Sequence, residues 1–163
     1  MTSWETIVWE HGQMAFAAAW RVLGHAGDAE DAVQEALLDA FHLHRSQHVA
    51  SWRALLRRLA TCRALDLLRK RRPAEPLSPQ AAGPAAAEPP AVAVASELAQ
   101  RLREALLELA PREAEVFSLR YFGELTNEEI AEELNMTTGA VGVALHKARV
   151  RLKELLETEE EGK

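Results

Sequence analysis

A proline- and alanine-rich segment near the middle of the chain divides the sequence into two parts. Pro73 and residues 74–95 together contain six of the seven prolines, no aromatic residue and almost no large apolar side chain. Such a composition cannot bury enough apolar surface to offset the entropy lost on ordering, so residues 74–95 are predicted to form a flexible linker. The sequence therefore predicts two separate modules, residues 1–73 and residues 96–163.

Apolar residues recur at helical spacing in both modules, and no segment of the first module alternates at period two. In the first module a helix is expected to begin with Asp28 as its N-cap. A second helix is expected over Ser51–Arg72, capped by Ser51 and ended by Pro73. The second module is expected to begin at Ser96, and the inward stripe of its last helix is Val141, Leu145, Ala148, Leu152 and Leu155. The predicted fold class is all-α, with two small helical domains joined by the linker.

Composition excludes several broad classes of protein. No apolar run approaches the roughly 18 residues that a membrane span requires, and the N-terminus lacks the basic start and cleavage site of a signal peptide. We therefore expect a cytoplasmic protein without membrane insertion. The single cysteine, Cys62, cannot form an internal disulfide and has no CxxC partner.

Charge is distributed unequally along the chain. The net charge is −6, yet residues 1–73 carry ten basic against eight acidic residues, whereas residues 96–163 carry nine against fifteen. The basic residues of the first module cluster between Arg57 and Arg72. The acidic total argues against indiscriminate nucleic-acid binding, but it hides this asymmetry.

The predicted helix that starts at Asp28 has an acidic face opposite its apolar stripe. Asp28, Asp31, Glu35 and Asp39 share this face, with Gln34 and Leu38 at its flank. Like charges at i,i+4 are mildly unfavourable for an isolated helix, so a basic partner would relieve the row. A solvated face is the alternative interpretation.

The Ser51–Arg72 helix has the opposite character. Arg58, Cys62, Leu65, Arg69 and Arg72 form a ridge, and Trp52 stands at the start of the helix. Positive charge beside an aromatic ring suits the backbone and bases of single-stranded nucleic acid. A basic last turn also suits the helix dipole, and Trp52 could equally belong to the core.

The segment LTNEEIAEELNMTTGAVGVALHKARVRL has the spacing of a helix-turn-helix unit. Thr126 is expected to cap a short helix, Ala131 is small where two helices would cross, and Thr137 and Thr138 open the second helix. Such a unit places its second helix in the major groove of DNA. An ordinary helical hairpin is the alternative.

Catalytic and metal-binding interpretations have little support. The chain has no glycine-rich phosphate loop and no motif that places a nucleophile beside a base, so no catalytic residue and no cofactor are predicted. His42, His44 and His48 lie near one another in sequence and Cys62 could join them, but the histidines fall at a helix end and in the loop after it. No metal site is predicted.

Four segments in the same order resemble region 2 and region 4 of the extracytoplasmic-function sigma factors of bacterial RNA polymerase. They are GDAEDAVQEALLDAF, WRALLRRLATCRALDLLRKRR, the variable linker, and the stretch from ALLELAPREAEVF to RLKELL. The resemblance implies a transcription initiation factor without enzymatic activity. Its implied partners are core polymerase, through the β′ clamp helices and the β flap, promoter DNA, and an anti-sigma factor.

The resemblance also implies roles for particular residues. The polymerase contacts would be Asp31, Gln34, Glu35 and Leu38. The −10 element contacts would be Trp52, Arg58, Cys62, Arg69, Lys70, Arg71 and Arg72. The −35 element contacts would be Thr137, Thr138, Val143, His146, Lys147 and Arg149.

Two departures from the family pattern affect these expectations. Cys62 stands where the family usually has Asn, so the pocket for a −10 base is expected to differ. GAVGVALHKAR stands where GTVKSRLHRAR is common, which places Gly142, Val143 and Ala144 where Lys, Ser and Arg would approach DNA. Outward valines can contact thymine methyl groups or a protein. Two alternatives therefore stay open, namely a sigma-like polymerase-binding adaptor that reads DNA weakly and a helix-turn-helix repressor that acts without polymerase.

Overall fold

The computed structural model describes residues 2–71 and 90–161, and the side chains within 2–71 and 96–158. Over these residues the chain forms seven α-helices and no strand, which confirms the all-α prediction. The N-terminal module contains α1 (Trp4–Leu23), α2 (Ala26–Ser46) and α3 (Trp52–Lys70). The C-terminal module contains α4 (Pro90–Leu106), α5 (Pro111–Tyr121), α6 (Asn127–Leu134) and α7 (Thr138–Glu161). Arg72 and residues 74–89 of the predicted linker lie outside the described residues.

Most of the helices are capped at their N-termini by serine or threonine, which are favoured N-cap residues. Ser51 caps α3 by accepting a hydrogen bond from the Ala54 amide at 3.2 Å, as predicted. Thr126 caps α6 and forms a reciprocal capping box with Glu129. Thr137 accepts a hydrogen bond from the Ala140 amide at 3.0 Å at the start of α7.

The start of α2 differs from the prediction, which made Asp28 the N-cap. Gly24 ends α1 in the left-handed conformation at φ 64°, and the next residue, His25, is already the extended N-cap of α2. The His25 ring nitrogen Nδ1 accepts a hydrogen bond from the Asp28 amide at 3.0 Å. Asp28 therefore lies inside the first turn, where its carboxylate suits the positive end of the helix dipole.

The start of α4 also differs, because the helix begins at Pro90 instead of Ser96. Proline is well tolerated in the first turn of a helix, and the alanines that follow it have high helix propensity. The end of the segment predicted to be a linker is therefore helical.

A shared apolar core joins the two modules. Val22 and Leu23 of α1 and Leu65 and Leu68 of α3 belong to one buried cluster with residues of the C-terminal module. Those residues include Ala105, Leu106, Leu109, Phe117 and Leu152. Leu65, which the sequence pattern placed on the basic ridge, is a core residue at 1% exposure. The described residues thus form a closed arrangement in which α3 packs against α5 and α6.

Candidate polymerase and nucleic-acid interfaces

The acidic face of α2 is open on the surface of the N-terminal module. Asp31, Gln34 and Glu35 are exposed, and Leu38 is 60% exposed. On the other side of the helix Val33 and Ala40 of the predicted apolar stripe are buried together with Ala32 and Ala36. The other members of that stripe, Leu37, Phe41 and His44, are half-buried. The four residues expected to contact polymerase are therefore brought together on one accessible face.

Arg63 of the neighbouring helix α3 neutralises part of this row, although its own side chain is 40% exposed. Its guanidinium donates to Asp39 Oδ2 at 2.6 and 2.9 Å and lies 3.4 Å from Glu35 Oε2. The hydrogen bond to Asp39 raises the pKa of Arg63. Glu35 is nevertheless exposed, so its carboxylate is accessible to a partner.

Trp52 lies in an aromatic cluster at the start of α3. Its ring meets Trp4 edge-on with centroids 6.3 Å apart and lies 5.6 Å from the ring of His44. Trp4 in turn packs edge-on against Phe41 at 5.3 Å. Trp52 is half-buried here, so one side of the ring supports the core and part of its surface is accessible.

The basic residues at the C-terminal end of α3 differ in their contacts and in their exposure. Arg69 lies 3.4 Å from Asp66 and donates to the Pro111 carbonyl of α5 at 3.4 Å. Arg71 pairs with Asp28 at 2.5 Å and is mostly buried, whereas Lys70 is exposed. Among these three residues, Lys70 is the most accessible to a DNA strand in this conformation.

The central turns of α3 face the C-terminal module instead of solvent. Arg58 Nε donates to Glu133 Oε1 at 2.8 Å, and Arg53 pairs with Glu129. Cys62 packs against the core of the C-terminal module. Burial, and to a smaller extent Glu115, raise the pKa of the Cys62 thiol to about 12.

Two further arginines join this contact, which we call the module interface. Arg57 donates to the Gly123 carbonyl at 3.3 Å and lies 3.4 Å from Glu124. Arg21 of α1 donates to the Phe122 carbonyl at 2.8 Å and pairs with Glu124 at 3.3 Å.

Sequence reasoning did not assign the module interface. A weak signal was present, because Arg53 and Arg57 in one module and Glu129 and Glu133 in the other have opposite charge and the same i,i+4 spacing. It indicates only one of the observed pairs, since Glu133 pairs with Arg58 instead of Arg57. Which partner each arginine would choose depended on how the modules pack.

The outward face of α7 is open. Thr137, Thr138, His146, Lys147 and Arg149 are exposed, and Val143 is 56% exposed. Val141, Leu145 and Ala148 are buried against α5 and α6, as predicted. Ala144 does not share the exposure of Gly142 and Val143, because it is buried in the core of the C-terminal module. The helix-turn-helix thus presents one continuous, weakly basic face.

The described residues contain no group of three or more His, Cys, Asp or Glu side chains that could hold a metal ion. The ring of His44 packs at a tilt against Trp4 and Trp52, while Cys62 packs at the module interface. In the same part of the chain, no helix is both long and apolar enough to cross a membrane.

The regions that match known protein families coincide with the two modules. The family profile for sigma-70 region 2 matches residues 7–74, and that for sigma-70 region 4 matches residues 99–152. The ECF RNA polymerase sigma factor SigW of Bacillus subtilis is 29% identical over 158 residues, covering 86% of this chain and 82% of that protein. SigE of Mycolicibacterium smegmatis is 29% identical over 160 residues, covering 96% of this chain and 62% of that protein.

A solved structure of similar fold is that of CnrH in complex with the cytosolic domain of CnrY. It superposes with a TM-score of 0.66 at 25% identity and covers 95% of this chain and 88% of that one. The match extends over both modules.

The two modules match sigma-70 region 2 and region 4 in that order, which defines a transcription factor of the sigma class. The chain belongs to the sigma-70 family, as a sigma factor of the extracytoplasmic-function type. It is a transcription initiation factor that directs promoter recognition by RNA polymerase.

Proposed function

We propose that the acidic face of α2 is the surface that docks on core polymerase, on the basic β′ clamp helices. The observation that carries this proposal is the shared exposure of Asp31, Gln34, Glu35 and Leu38 on one helix face. An apolar residue among carboxylates suits a partner helix that offers both lysine or arginine and apolar surface. Arg63 of α3 pairs with Glu35, and both Asp31 and Glu35 are exposed to a partner.

We further propose that α3 binds the non-template strand of the −10 element and assists its melting. Trp52 offers part of an aromatic surface for a base, and the arginines along α3 offer charge for the phosphates. Each stacked base contributes about 1–3 kcal/mol, so melting needs no catalytic chemistry and we assign none to this protein. Cys62 would line the base pocket where the family usually has Asn.

The open face of α7 is proposed to read the −35 element through Thr137, Thr138, Val143, His146, Lys147 and Arg149. Gly142 contributes no charge at the leading turn, so affinity for this element is expected to be weaker than in relatives with lysine there. The exposure of Val143 and Val150 favours a second candidate function, that of a polymerase-bound adaptor with weak DNA reading. The acidic face of α2 argues against a repressor that acts without polymerase, because such a protein has no use for it.

Two further partners are proposed. An apolar groove of about 420 Å³ between α4, α5 and α7, lined by Leu98, Leu102, Phe117 and Leu156 among others, suits an amphipathic segment such as that of the β flap. Because the similar CnrH was solved with the cytosolic domain of CnrY, we also propose that a protein of the anti-sigma type binds this chain. We expect this protein to meet the polymerase, and these interactions to take place, in the cytoplasm.

Run-off transcription with core polymerase and a promoter library tests the proposed function. The parent should give defined start sites, and Asp31→Ala with Glu35→Ala should weaken core binding by at least about tenfold, or about 1.4 kcal/mol, in a pull-down. The control, Glu128→Ala with Glu132→Ala, removes the same charge from exposed positions of α6 and should bind as the parent does. Core binding without any start site would indicate the adaptor, and equal binding by the α2 variant would refute the docking surface.

A further inference from the structure

Arginines of α3 hold the two outer carboxylates of the acidic row on α2. At the beginning of the row, Asp28 pairs with Arg71 at 2.5 Å. At its end, Asp39 Oδ2 accepts two hydrogen bonds from Arg63, at 2.6 and 2.9 Å. Both outer carboxylates are therefore engaged within the module. The two inner carboxylates, which the proposed function assigns to polymerase docking, are Asp31 and Glu35.

Arg63 differs from Arg71 because it also reaches one of the inner carboxylates. Its Nη1 lies 3.4 Å from Glu35 Oε2, while Nε and Nη2 donate to Asp39. A planar guanidinium offers its donors in a fixed fork, so one side chain can orient two carboxylates at once. Glu35 is nevertheless exposed, and an ionised carboxylate has room for a further donor. Arg63 therefore constrains Glu35 without covering it.

The constraint matters because Glu35 and Asp39 lie four residues apart on the same helix. Like charges at this spacing repel one another, so without a cation between them the two side chains would rotate apart. A partner would then have to immobilise the Glu35 side chain itself, and ordering a flexible side chain opposes binding. With Arg63 in place, the carboxylate is already ordered before the partner arrives.

We propose that Arg63 is a positioning residue of the polymerase-docking surface and orders the Glu35 carboxylate for a cation of the partner. The inference rests on the proposed docking of α2 on polymerase. Arg63 acts through Glu35, and the proposal requires no contact between Arg63 and polymerase. Lysine is a poor substitute at this position, since its ammonium is a compact point charge without the fork that orients both carboxylates.

The test is a double-mutant cycle on the full chain, with the affinity for immobilised core polymerase measured by surface plasmon resonance. The variants are Arg63→Lys, Glu35→Gln and the two together. Arg63→Lys retains the positive charge, so its effect reports the lost fork instead of a change in electrostatic attraction. Arg112→Lys is the matched control, because Arg112 is an exposed arginine that pairs with Glu115 at 3.0 Å on α5, outside the docking surface. Circular dichroism in denaturant checks that every variant folds.

Arg63→Lys should weaken core binding by roughly threefold to tenfold, the range expected when a side chain must be ordered on binding. Glu35→Gln alone should also weaken it, because the docking carboxylate loses its charge. In the Glu35→Gln background, Arg63→Lys should have no further effect, since the group that Arg63 orders no longer binds a cation. Arg112→Lys should bind as the parent does.

Three results would overturn the positioning role. If Arg63→Lys binds as the parent does while Glu35→Gln binds more weakly, Arg63 does not order the docking carboxylate, and the docking surface stands. Equal weakening by Arg63→Lys in both backgrounds would show that Arg63 does not act through Glu35, as expected of a merely structural residue. If Glu35→Gln alone binds as the parent does, docking through this carboxylate fails, and the role of Arg63 fails with it.

Discussion

Single residues at the module interface have properties that their positions in the sequence do not reveal. Cys62 is the clearest case, because its thiol is surrounded by apolar side chains of the C-terminal module and by Glu115. The thiolate is the reactive form of cysteine, so a thiol with a pKa near 12 is inert at neutral pH.

We therefore predict that iodoacetamide modifies native Cys62 far more slowly than the unfolded chain at pH 8. The native rate should continue to rise with pH towards about 12, whereas the unfolded rate should level off above the ordinary thiol pKa of about 8.5. Because the unfolded thiol ionises first, the same shift lowers the free energy of unfolding as pH rises through about 8.5. A native rate that levels off near pH 9 would contradict the assigned environment.

At the scale of the helix, α7 combines a well-defined inward stripe with an unusual outward face. Val141, Leu145 and Ala148 could be assigned from periodicity because a helix in a small domain has one buried side. The outward side is harder to interpret, since Gly142 is exposed and a Cβ atom there would meet nothing within 4 Å. A side chain other than proline therefore meets no steric obstacle at position 142.

We predict that Gly142→Lys tightens binding to −35 duplex DNA and that Val143→Asp abolishes it. Lysine gains helix propensity of up to about 1 kcal/mol and one phosphate contact, whereas an aspartate that faces phosphates is repelled. Gly142→Ala is the matched control, because it adds the helix propensity without the charge. Salt-titrated binding curves separate the contribution of helix propensity from that of charge, since only lysine should steepen the salt dependence. No response from Gly142→Lys or Val143→Asp would show that this helix binds another ligand.

At the scale of the whole molecule, the modules share a core as well as the ion pairs of the module interface. Leu106 and Phe117 pack in the same buried cluster as Val22 and Leu68. All four tryptophans, at positions 4, 9, 20 and 52, belong to the N-terminal module. Tryptophan emission therefore reports the unfolding of that module alone.

We predict that Leu145→Ala, a change in the core of the C-terminal module, shifts the tryptophan-monitored transition as well as the helical circular dichroism. Leu145 is 1% exposed, and removing such a side chain typically costs about 2–5 kcal/mol. If the modules unfold as one unit, the two transitions of the variant coincide at a lower denaturant concentration. A tryptophan midpoint equal to that of the parent would show that the modules unfold independently.

Sequence alone was sufficient where the determining interactions are local. The helical class, the caps of α3 and α6, the inward stripe of α7 and the exposed acidic face of α2 all follow from spacing within one helix. The family also follows from local motifs in order. The sequence did not predict His25 as a helix cap because histidine is not a usual N-cap residue. It did not predict that α4 begins at Pro90 because the proline-rich composition of residues 74–95 resembles that of a linker.

Only the tertiary structure decided how the basic helix α3 and the acidic helix α6 contact one another. Arg58 and Glu133 are separated by 75 positions, and nothing in their local spacing selects that pairing over solvent or DNA. The pairing exists because the shared core around Leu65, Leu106 and Leu109 brings α3 against α5 and α6. Ion pairs depend steeply on distance and burial, which are properties of the packed molecule. The sequence thus determined that α3 is basic and α6 is acidic, and packing determined that they hold one another.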